Sequence, residues 1–431
     1  MVKEKVKVGI MGFGTVGTGT YKILTDNFEE IEKQVGAPII VEKVLVKNLS
    51  KERDVSISEE LLTINSDDIL ENPDIDIVVE VMGGEKPAYD YIKKALENGK
   101  HVVTANKELL AKKGDTLFKI ADSKGLAIEF EASVCGGVPI IRAFKRTLCT
   151  DKVNKIMGIV NGTTNYILTK MADEGSEYNE ALKEAQGNGY AETDPTADVE
   201  GYDAAYKMAI LASIGFHMPV DINKVSIEGI SGIDKRDIEY GKDLGWVIKL
   251  IGIAQEIDGK VEVGVSPVML PAEHQMAKVN GVNNAVFVNS DSIGELMFYG
   301  PGAGQMPTGN SIVSDIAEIA KQLVLGNKML SNCSFDKPKE YMEEIYASYY
   351  IRLNVINKPG VFAKIASVFG NFDVSLESVL QKKTEGDSAE IVLITSKVNG
   401  IDFRKSIESL KALDVVNEVS SVIRVEGNGN E

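Results

Sequence analysis

The feature that most constrains the fold is a glycine-rich turn close to the N-terminus. Residues 5–11 (KVKVGIM) have the character of a short buried strand, and an amphipathic helical pattern follows to about Thr25. Between them, Gly12 permits a tight turn, Gly14 lets a pyrophosphate approach the backbone, and Gly17 lets the helix pack on the strand. The pattern predicts a dinucleotide site, with an unrelated glycine turn as the alternative. Its predicted cofactor contacts are Gly12, Phe13, Gly14, Thr15, Val16 and Gly17.

Strands and helices alternate beyond this turn, which favours an α/β domain with a parallel, doubly wound sheet of Rossmann type over residues 1–146. A helix near residues 310–326 is expected to return to this domain. The predicted strands are Ile39–Val46, Ile75–Val81, His101–Thr104 and Leu126–Ser133, and Ala88–Asn98 is a predicted helix.

The end of the second strand bears on cofactor choice. An acidic residue there would bind the ribose hydroxyls of NAD, whereas basic residues accommodate the 2′-phosphate of NADP. Asn48 stands at this place with Lys47, Lys51 and Arg53 around it. The sequence therefore predicts a preference for NADP. The alternative is that these bases belong to a solvated loop.

Composition narrows the class of protein. The chain has 431 residues, enough for two to four domains, and a formal net charge of −17, which argues against nonspecific binding to nucleic acid. No apolar run is long enough to span a bilayer. Three scattered cysteines suggest reduced thiols in a cytoplasm, and three isolated histidines make a metal centre built on histidine unlikely.

A dense acidic cluster lies between Gly187 and Lys207. Such a cluster suits the binding of a cationic group, such as the ammonium of an amino acid, because unpaired charges are rarely buried in a core. Lys207 follows Asp203 by one helical turn, where it can handle a proton. The alternative is a solvated loop followed by an ordinary surface ion pair. The acidic residues are Glu192, Asp194, Asp198, Glu200 and Asp203.

Lys107 stands where a predicted helix begins after the strand that ends at Thr104. This is the C-terminal edge of the sheet, where open α/β folds bind their ligands. A lysine in the first turn of a helix gains nothing from the helix dipole. We therefore expect Lys107 close to the nicotinamide.

Residues 147–330 are expected to form an α+β domain, with a mixed sheet covered by helices. The predicted strands are Ile156–Val160, Lys224–Glu228, Leu250–Glu256, Val261–Pro267 and Ala285–Ser290, and the helix from Asn310 to Gly326 follows.

An ordered set of motifs covering nearly the whole chain resembles homoserine dehydrogenase. The motifs are residues 12–17 (GFGTVG), 104–107 (TANK), 131–139 (EASVCGGVP), 161–168 (NGTTNYIL), 187–207 and 299–304 (YGPGAG). The resemblance implies reversible hydride transfer between L-aspartate 4-semialdehyde and L-homoserine, on the route to threonine and methionine.

The resemblance also implies that residues 147–330 bind the substrate and form a dimer, and it implies roles for matched residues. Lys207 and Lys107 match the two essential lysines, with Lys207 as the proton donor to the aldehyde oxygen. The implied substrate contacts are Glu192, Asp198, Asp203, Gly162 and Thr163. Further cofactor contacts are expected at Lys47, Arg53, Thr104, Lys107 and Gly302.

A monovalent cation, sodium or potassium, is implied at the hinge between the domains. Its matched ligands are Glu131 and the backbone carbonyls of Val134, Gly136 and Val138; the alternative for Glu131 is an exposed carboxylate at a strand end. The chain departs from the family pattern at Cys135, where a small packing residue is expected, and at residues 307–311 (PTGNS), which puts the start of the following helix in doubt.

Residues 331–347 are predicted to be a linker, and residues 348–427 follow the βαββαβ order of a ferredoxin-like domain. With Asn357, Gly360 and Val361 between the first strand and helix, this unit resembles an ACT domain, a module that commonly binds amino acids. The implied effector is threonine, at the helix N-terminus. The alternative is a purely structural or dimerising module.

Two other functions remain open at this point. One is a metabolite sensor that binds NADP and an amino acid without catalysis; the lysines and the acidic cluster argue against it. The other is a dehydrogenase of a different amino acid, such as aspartate. The expected partners are a small-molecule substrate and a second copy of the chain, in a homodimer or homotetramer.

Overall fold

The computed structural model describes residues 3–327, 335 and 337–427. Its N-terminal unit is a six-stranded parallel sheet in the order β3-β2-β1-β4-β5-β6. The strand order reverses between β1 and β4, and open α/β sheets bind ligands at that edge. The strands are β1 (Val6–Met11), β2 (Ile39–Leu45), β3 (Leu62–Thr63), β4 (Ile77–Glu80), β5 (His101–Thr104) and β6 (Ile128–Glu129).

Helices cover this sheet as the doubly wound prediction requires: α1 (Thr15–Asp26), α2 (Phe28–Val35), α3 (Asp67–Leu70), α4 (Ala88–Glu97), α5 (Lys107–Lys124) and α6 (Ile140–Arg146). The predicted strand Leu126–Ser133 was wrong in extent. Extended pairing ends at Glu129, and a 3₁₀ turn follows at Glu131–Ser133. The turn forms because the N–H of Glu131 donates to the side chain of Asp315 instead of a neighbouring strand.

The second unit is built on an antiparallel sheet in the order β12-β11-β7-β9-β10. Strand β12 was not predicted; the others extend the predicted segments, except for the shorter β8. The strands are β7 (Val153–Ile159), β8 (Ser226–Ile227), β9 (Trp246–Ile257), β10 (Lys260–Pro271), β11 (Asn283–Ser290) and β12 (Gly294–Pro301). The helices are α7 (Gly162–Glu174), α8 (Tyr178–Gly187), α9 (Thr196–Val199), α10 (Tyr202–Gly215) and α11 (Lys235–Asp243).

Helix α12 (Gln305–Leu325) returns to the N-terminal unit and packs on α1. It begins five residues before the predicted start at Asn310, so the segment PTGNS lies inside the helix. Gly309 of α12 meets the backbone of Gly19 and Thr20 in α1 so closely that a Cβ on either glycine would overlap backbone atoms. The departure at Gly309 therefore has a packing reason.

Replacing Gly19 with alanine is expected to destabilise the protein by about 1–3 kcal/mol, because the added methyl would overlap the carbonyl oxygen of Gln305 and force α1 and α12 apart. Urea unfolding measures this. Gly187→Ala is the matched control: Gly187 ends α8 with open space around its Cβ position. Equal stability of the two variants would show that the helix contact is not tight.

The C-terminal unit has the predicted βαββαβ order, with its sheet arranged β18-β14-β16-β15. Its elements are β14 (Tyr346–Ile356), α13 (Val361–Asn371), β15 (Leu376–Glu385), β16 (Ser388–Thr395), the short β17 (Val398–Asn399), α14 (Gly400–Lys411) and β18 (Val416–Val425). Of the predicted linker at 331–347, residues 331–334 and 336 lie outside the described residues. Within the rest, β13 (Glu340–Tyr341) pairs with β10, so this part is not a free linker.

The two sheets of the second and third units are continuous. Strand β18 pairs in parallel with β10, with Val268 opposite Arg424 and Met269 opposite Val425. The C-terminal unit is therefore fastened to the strands of the second unit. In residues 3–327, 335 and 337–427, no helix combines the length and the apolar character that crossing a membrane requires.

Candidate active site

Helix α10 carries two residues of the predicted cluster, Asp203 and Lys207. It begins after Gly201, whose φ of 85° sets the entry to the helix. Asp203 lies in the first turn, where the helix dipole favours a negative charge, and Lys207 follows one turn later. Most of the residues after Lys207 are apolar and buried, so the aspartate and lysine are anchored at the surface of the core.

Asp203 joins the two lysines that the sequence singled out. Its Oδ2 lies 2.6 Å from the Nζ of Lys207, and its Oδ1 lies 3.0 Å from the Nζ of Lys107. Lys207 also donates to the carbonyl oxygen of Val160 at 2.8 Å. Lys107 is the first residue of α5, whose start is capped by the side chain of Asn106. Residues far apart in sequence thus meet on one carboxylate.

The charges of this group support one another. Burial alone would raise the pKa of Asp203, but the ammonium groups of Lys207 and Lys107 outweigh it and hold that pKa below its usual range. The charge of Asp203 in turn raises the pKa of Lys107, despite the opposing effect of burial. Asp203 is therefore ionised and Lys107 charged at neutral pH.

The start of α7 borders the same group. Asn161 caps this helix by accepting from the N–H of Thr164, and its Nδ2 donates to Asp198 at 2.7 Å and to Asp203 at 3.0 Å. The hydroxyl of Thr163 lies 2.7 Å from the carbonyl oxygen of Tyr190 and 3.1 Å from a carboxylate oxygen of Asp198. Burial, followed by the charge of Asp203, raises the pKa of Asp198. This wall holds four of the five predicted substrate residues: Gly162, Thr163, Asp198 and Asp203.

Glu192 is placed differently from the other predicted substrate residues. It lies exposed on the segment between α8 and α9, where its carbonyl oxygen accepts from the side chain of Gln186. Its role toward substrate stays a prediction.

Glu131 is buried, with 3% of its surface exposed, so the alternative of an exposed carboxylate was wrong. Its two carboxylate oxygens accept from the N–H groups of Ile141 and Arg142 at 2.8 Å each. Burial raises its pKa. The nearby carbonyls of Gly136 and Val138 already accept from Ser311 and Ile140 but each keeps a second lone pair. The oxygen donors fit a hard cation, although no group of three His, Cys, Asp or Glu residues in the described chain is arranged for a metal.

Cys135 adopts φ = 55°, in the left-handed region, and lies buried in the 131–139 segment. Burial raises the pKa of its thiol to about 11. The thiolate is therefore suppressed, which favours a packing role over a redox role for this residue.

The glycine turn has the geometry that the sequence predicted. Gly12 has φ = 108°, a Cβ at Gly17 would overlap the carbonyl oxygen of Gly12, and no atom lies within 4 Å of a Cβ built on Gly14. Gly14 is therefore the open position. Of the other predicted cofactor residues, Thr104 donates to Glu80 of β4 and Gly302 packs against Asn284.

The two predicted NADP-binding bases differ in their surroundings. Lys47 is exposed after β2. Arg53 donates to the carbonyl oxygens of Asn48, Leu49 and Lys51, so its guanidinium folds onto its own loop. Lys47 is the base of the pair that is better placed to meet a ligand.

The predicted effector residues lie together in the C-terminal unit. Gly360, with φ = 88°, immediately precedes α13, which begins at Val361, and the N–H of Asn357 donates to the carbonyl of Asp387. Whether they bind an effector stays a prediction.

Sequence reasoning assigned no role to Asn161, Glu80 or Asn106. Each stabilises a turn or a helix start at the site. Glu80 accepts from the N–H groups of Met82 and Gly83 and from the hydroxyl of Thr104, Asn106 caps α5, and Asn161 caps α7. The signal available for Asn106 and Asn161 was an asparagine just before a helix, which is a preferred N-cap.

Comparison with known proteins places these features in three family models. Residues 12–131 match the model described as homoserine dehydrogenase, NAD binding domain, and residues 139–317 match homoserine dehydrogenase. Residues 349–415 match the ACT domain.

Similar proteins and structures cover from three quarters to nearly all of the chain. The homoserine dehydrogenase of Bacillus subtilis is 48% identical over 431 residues, which is 99% of each chain. The crystal structure of a homoserine dehydrogenase from Thiobacillus denitrificans is 38% identical, with a TM-score of 0.91 and 98% of each chain covered. A hyperthermophilic archaeal homoserine dehydrogenase in complex with NADPH is 26% identical, with a TM-score of 0.63; the match covers 76% of this chain and 100% of that one.

Proposed function

Because the chain belongs to the homoserine dehydrogenase family, we propose that it interconverts L-aspartate 4-semialdehyde and L-homoserine in the synthesis of threonine and methionine. The observation that carries this proposal is the single carboxylate of Asp203 shared by Lys107 and Lys207. The shared carboxylate holds both ammonium groups in one place, where each can still contact a substrate oxygen. A proton source therefore lies beside that oxygen. A sensor without catalysis would not need this arrangement.

Lys207 is the proposed proton donor. An ammonium has three N–H groups, and two of them go to Val160 and Asp203. The third is left for the substrate oxygen, where it supplies a proton or positive charge as the alkoxide develops. Lys107 adds a second positive charge, while Glu192 and Asp198 are proposed to bind the substrate ammonium. The nicotinamide supplies or accepts the hydride when bound.

NADP is the proposed cofactor in preference to NAD. The support is the absence of an acidic residue directly after β2, where Asn48 stands, together with the exposed Lys47. Arg53 would contribute only if it left the three carbonyls that it now contacts. The archaeal relative in complex with NADPH adds support.

A monovalent cation would be held by Glu131 and the carbonyls of Val134, Gly136 and Val138. Its proposed chemistry is structural. Burial, followed by the charges of Glu129 and Glu131, raises the pKa of the neighbouring Asp315 well above its usual range. Asp315 and Glu129 already pair with Arg142 and Lys145, so a cation would act at Glu131 and brace the segment between β6 and α6.

Threonine is the proposed effector, bound at Asn357, Gly360 and Val361. A physical route supports coupling to the active site. Arg352 of β14 donates to Asp237 of α11 at 2.7 Å and to Glu390 of β16 at 3.1 Å, and Tyr240 of α11 donates to Glu390 at 2.6 Å. The segment before α11 connects this cluster to the active site, because the N–H of Ile230 donates to the carbonyl oxygen of Val199, next to Asp198.

Replacing Tyr240 with phenylalanine is expected to change the threonine concentration for half-inhibition by up to about tenfold, with turnover unchanged in the absence of threonine. The hydrogen bond from the Tyr240 hydroxyl to Glu390 joins the second unit to the C-terminal unit and is worth about 1.5 kcal/mol. Its loss can change the coupling only by as much as the bond differs between the threonine-bound and threonine-free states. The measurement is a threonine titration of the initial rate. Tyr346→Phe is the control, since its hydroxyl contacts Glu344 two residues away. Equal inhibition of both variants would contradict the route.

The experiment that tests the proposed function follows NADPH absorbance with aspartate semialdehyde, with and without threonine, and repeats it with NADH. Oxidation of NADPH that threonine suppresses supports the enzyme, the cofactor and the effector together. Oxidation indifferent to threonine leaves the C-terminal unit a structural or dimerising role. A clear preference for NADH would refute the NADP proposal. No oxidation of either cofactor would favour the sensor, and turnover of aspartate instead would favour a different dehydrogenase.

A further inference from the structure

Lys249 is a buried cation outside the active site. It lies on β9 with 1% of its surface exposed. Its Nζ donates to the carbonyl oxygen of Val279 at 2.6 Å, to Asn280 Oδ1 at 3.0 Å and to Asn165 Oδ1 at 3.1 Å. The three N–H groups of the ammonium therefore match three neutral oxygen atoms.

This environment is expensive for a charge. Burial lowers the pKa of Lys249 to about 8, and the more distant Asp173 on α7 only partly opposes that effect. The residue opposite on β10 is Val268. An apolar side chain of similar length would fill the same volume without burying a charge. The presence of a lysine here is therefore better explained by the hydrogen bonds of its ammonium than by core packing.

The ammonium holds loop 279–283, which precedes β11. Asn165 of α7 shares the task, because its Nδ2 donates to the carbonyl oxygens of Val279 and Asn283. Farther along the loop, the N–H of Gly281 donates to the hydroxyl of Thr169, also on α7. The loop is thus tied to one helix at several points, with Lys249 beneath it.

The loop also comes close to the start of the same helix. The carbonyl oxygen of Val282 lies only 2.7 Å from the place where a Cβ on Gly162 would stand. Gly162 is the first residue of α7, and the hydroxyl of the next residue, Thr163, contacts Asp198 and the carbonyl oxygen of Tyr190. A shift of the loop would therefore move the wall of the substrate site.

We propose that Lys249 is a positioning residue for substrate binding: its ammonium fixes loop 279–283 against Gly162 and thereby sets Thr163 and Asp198. The inference rests on the proposed function, because it assigns a role toward the substrate of that site. Lys249 touches neither substrate nor cofactor and donates no proton to them.

The test is Lys249→Met assayed with aspartate semialdehyde and NADPH. The expected result is a rise of about 10- to 100-fold in KM for the semialdehyde, because misplacement of a binding wall by an ångström is costly. The kcat value and the dissociation constant of NADPH should stay close to those of the wild type. Lys278→Met is the control: Lys278 is exposed and directly precedes loop 279–283, and its substitution should leave KM unchanged.

A milder variant guards against failure to fold. Asn280→Ala removes one exposed partner of the ammonium and should raise KM in the same direction, by less. Folded variants with wild-type KM would overturn the inference, as would lower stability without a change in KM, which would mark a purely structural lysine. A wild-type protein that does not reduce the semialdehyde would instead refute the proposed function itself.

Discussion

Lys207→Ala is expected to reduce kcat for semialdehyde reduction by about 10²–10⁴-fold, the usual contribution of general acid catalysis. The residue meets the geometric requirement for this role. It is held by Asp203 and Val160 on a buried helix, and one N–H remains for the substrate. Because Lys207 is not among the predicted cofactor contacts, the dissociation constant of NADPH, measured by fluorescence titration, should change little.

The chain supplies a matched control for this variant. Asp115 and Lys119 form an exposed pair on α5 with the same four-residue spacing as Asp203 and Lys207. Exposed pairs contribute little, so Lys119→Ala should leave kcat and stability near the wild-type values. Turnover that survives Lys207→Ala would place the proton source elsewhere, at Lys107 or in water.

Local sequence patterns predicted the structural features that depend only on residues close together in the chain. The turn at Gly12–Gly17 needs only the chain around it, and its geometry was confirmed. The contact between Asp203 and Lys207 follows from helical spacing. The approach of Lys107 to Asp203 was expected only in general terms, from the edge of the sheet at which Lys107 stands.

Contacts between distant segments could not be read from the sequence. The strand predicted at Leu126–Ser133 ended early because Asp315, far along the chain, takes the N–H of Glu131. The joining of β10 and β18 depends on the docking of two units. Lys249 looks like one polar residue in an apolar strand until three oxygens from α7 and loop 279–283 surround it.

Asp203→Asn should be the most damaging single substitution in the site. Asp203 is 7% exposed and pairs directly with two ammonium groups, so its neutralisation leaves two positive charges close together without a directly paired carboxylate. Removing one partner of a buried pair costs about 3–5 kcal/mol. We expect a loss of stability of this order. We also expect a fall in kcat/KM at least as large as the one expected for Lys207→Ala. Asp115→Asn, in the exposed pair on α5, is the control.

The pH dependence of this variant distinguishes electrostatics from misfolding. The pKa of Asp203 is lowered in the folded state, so its contribution to stability is fully present above the unfolded pKa of about 4 and is lost as pH falls toward the folded value. The stability difference between wild type and Asp203→Asn should therefore shrink below pH 4.

On the alkaline side, the pKa of Lys107 is raised mainly by the charge of Asp203, so the substitution should lower it. The alkaline limb of kcat/KM should move to lower pH, because Lys107 then loses, at a lower pH, the charge that stabilises the alkoxide. A variant with the wild-type alkaline limb and an undiminished rate would show that the lysines do not depend on Asp203. The shared carboxylate would then lose its place as the organising charge of the site.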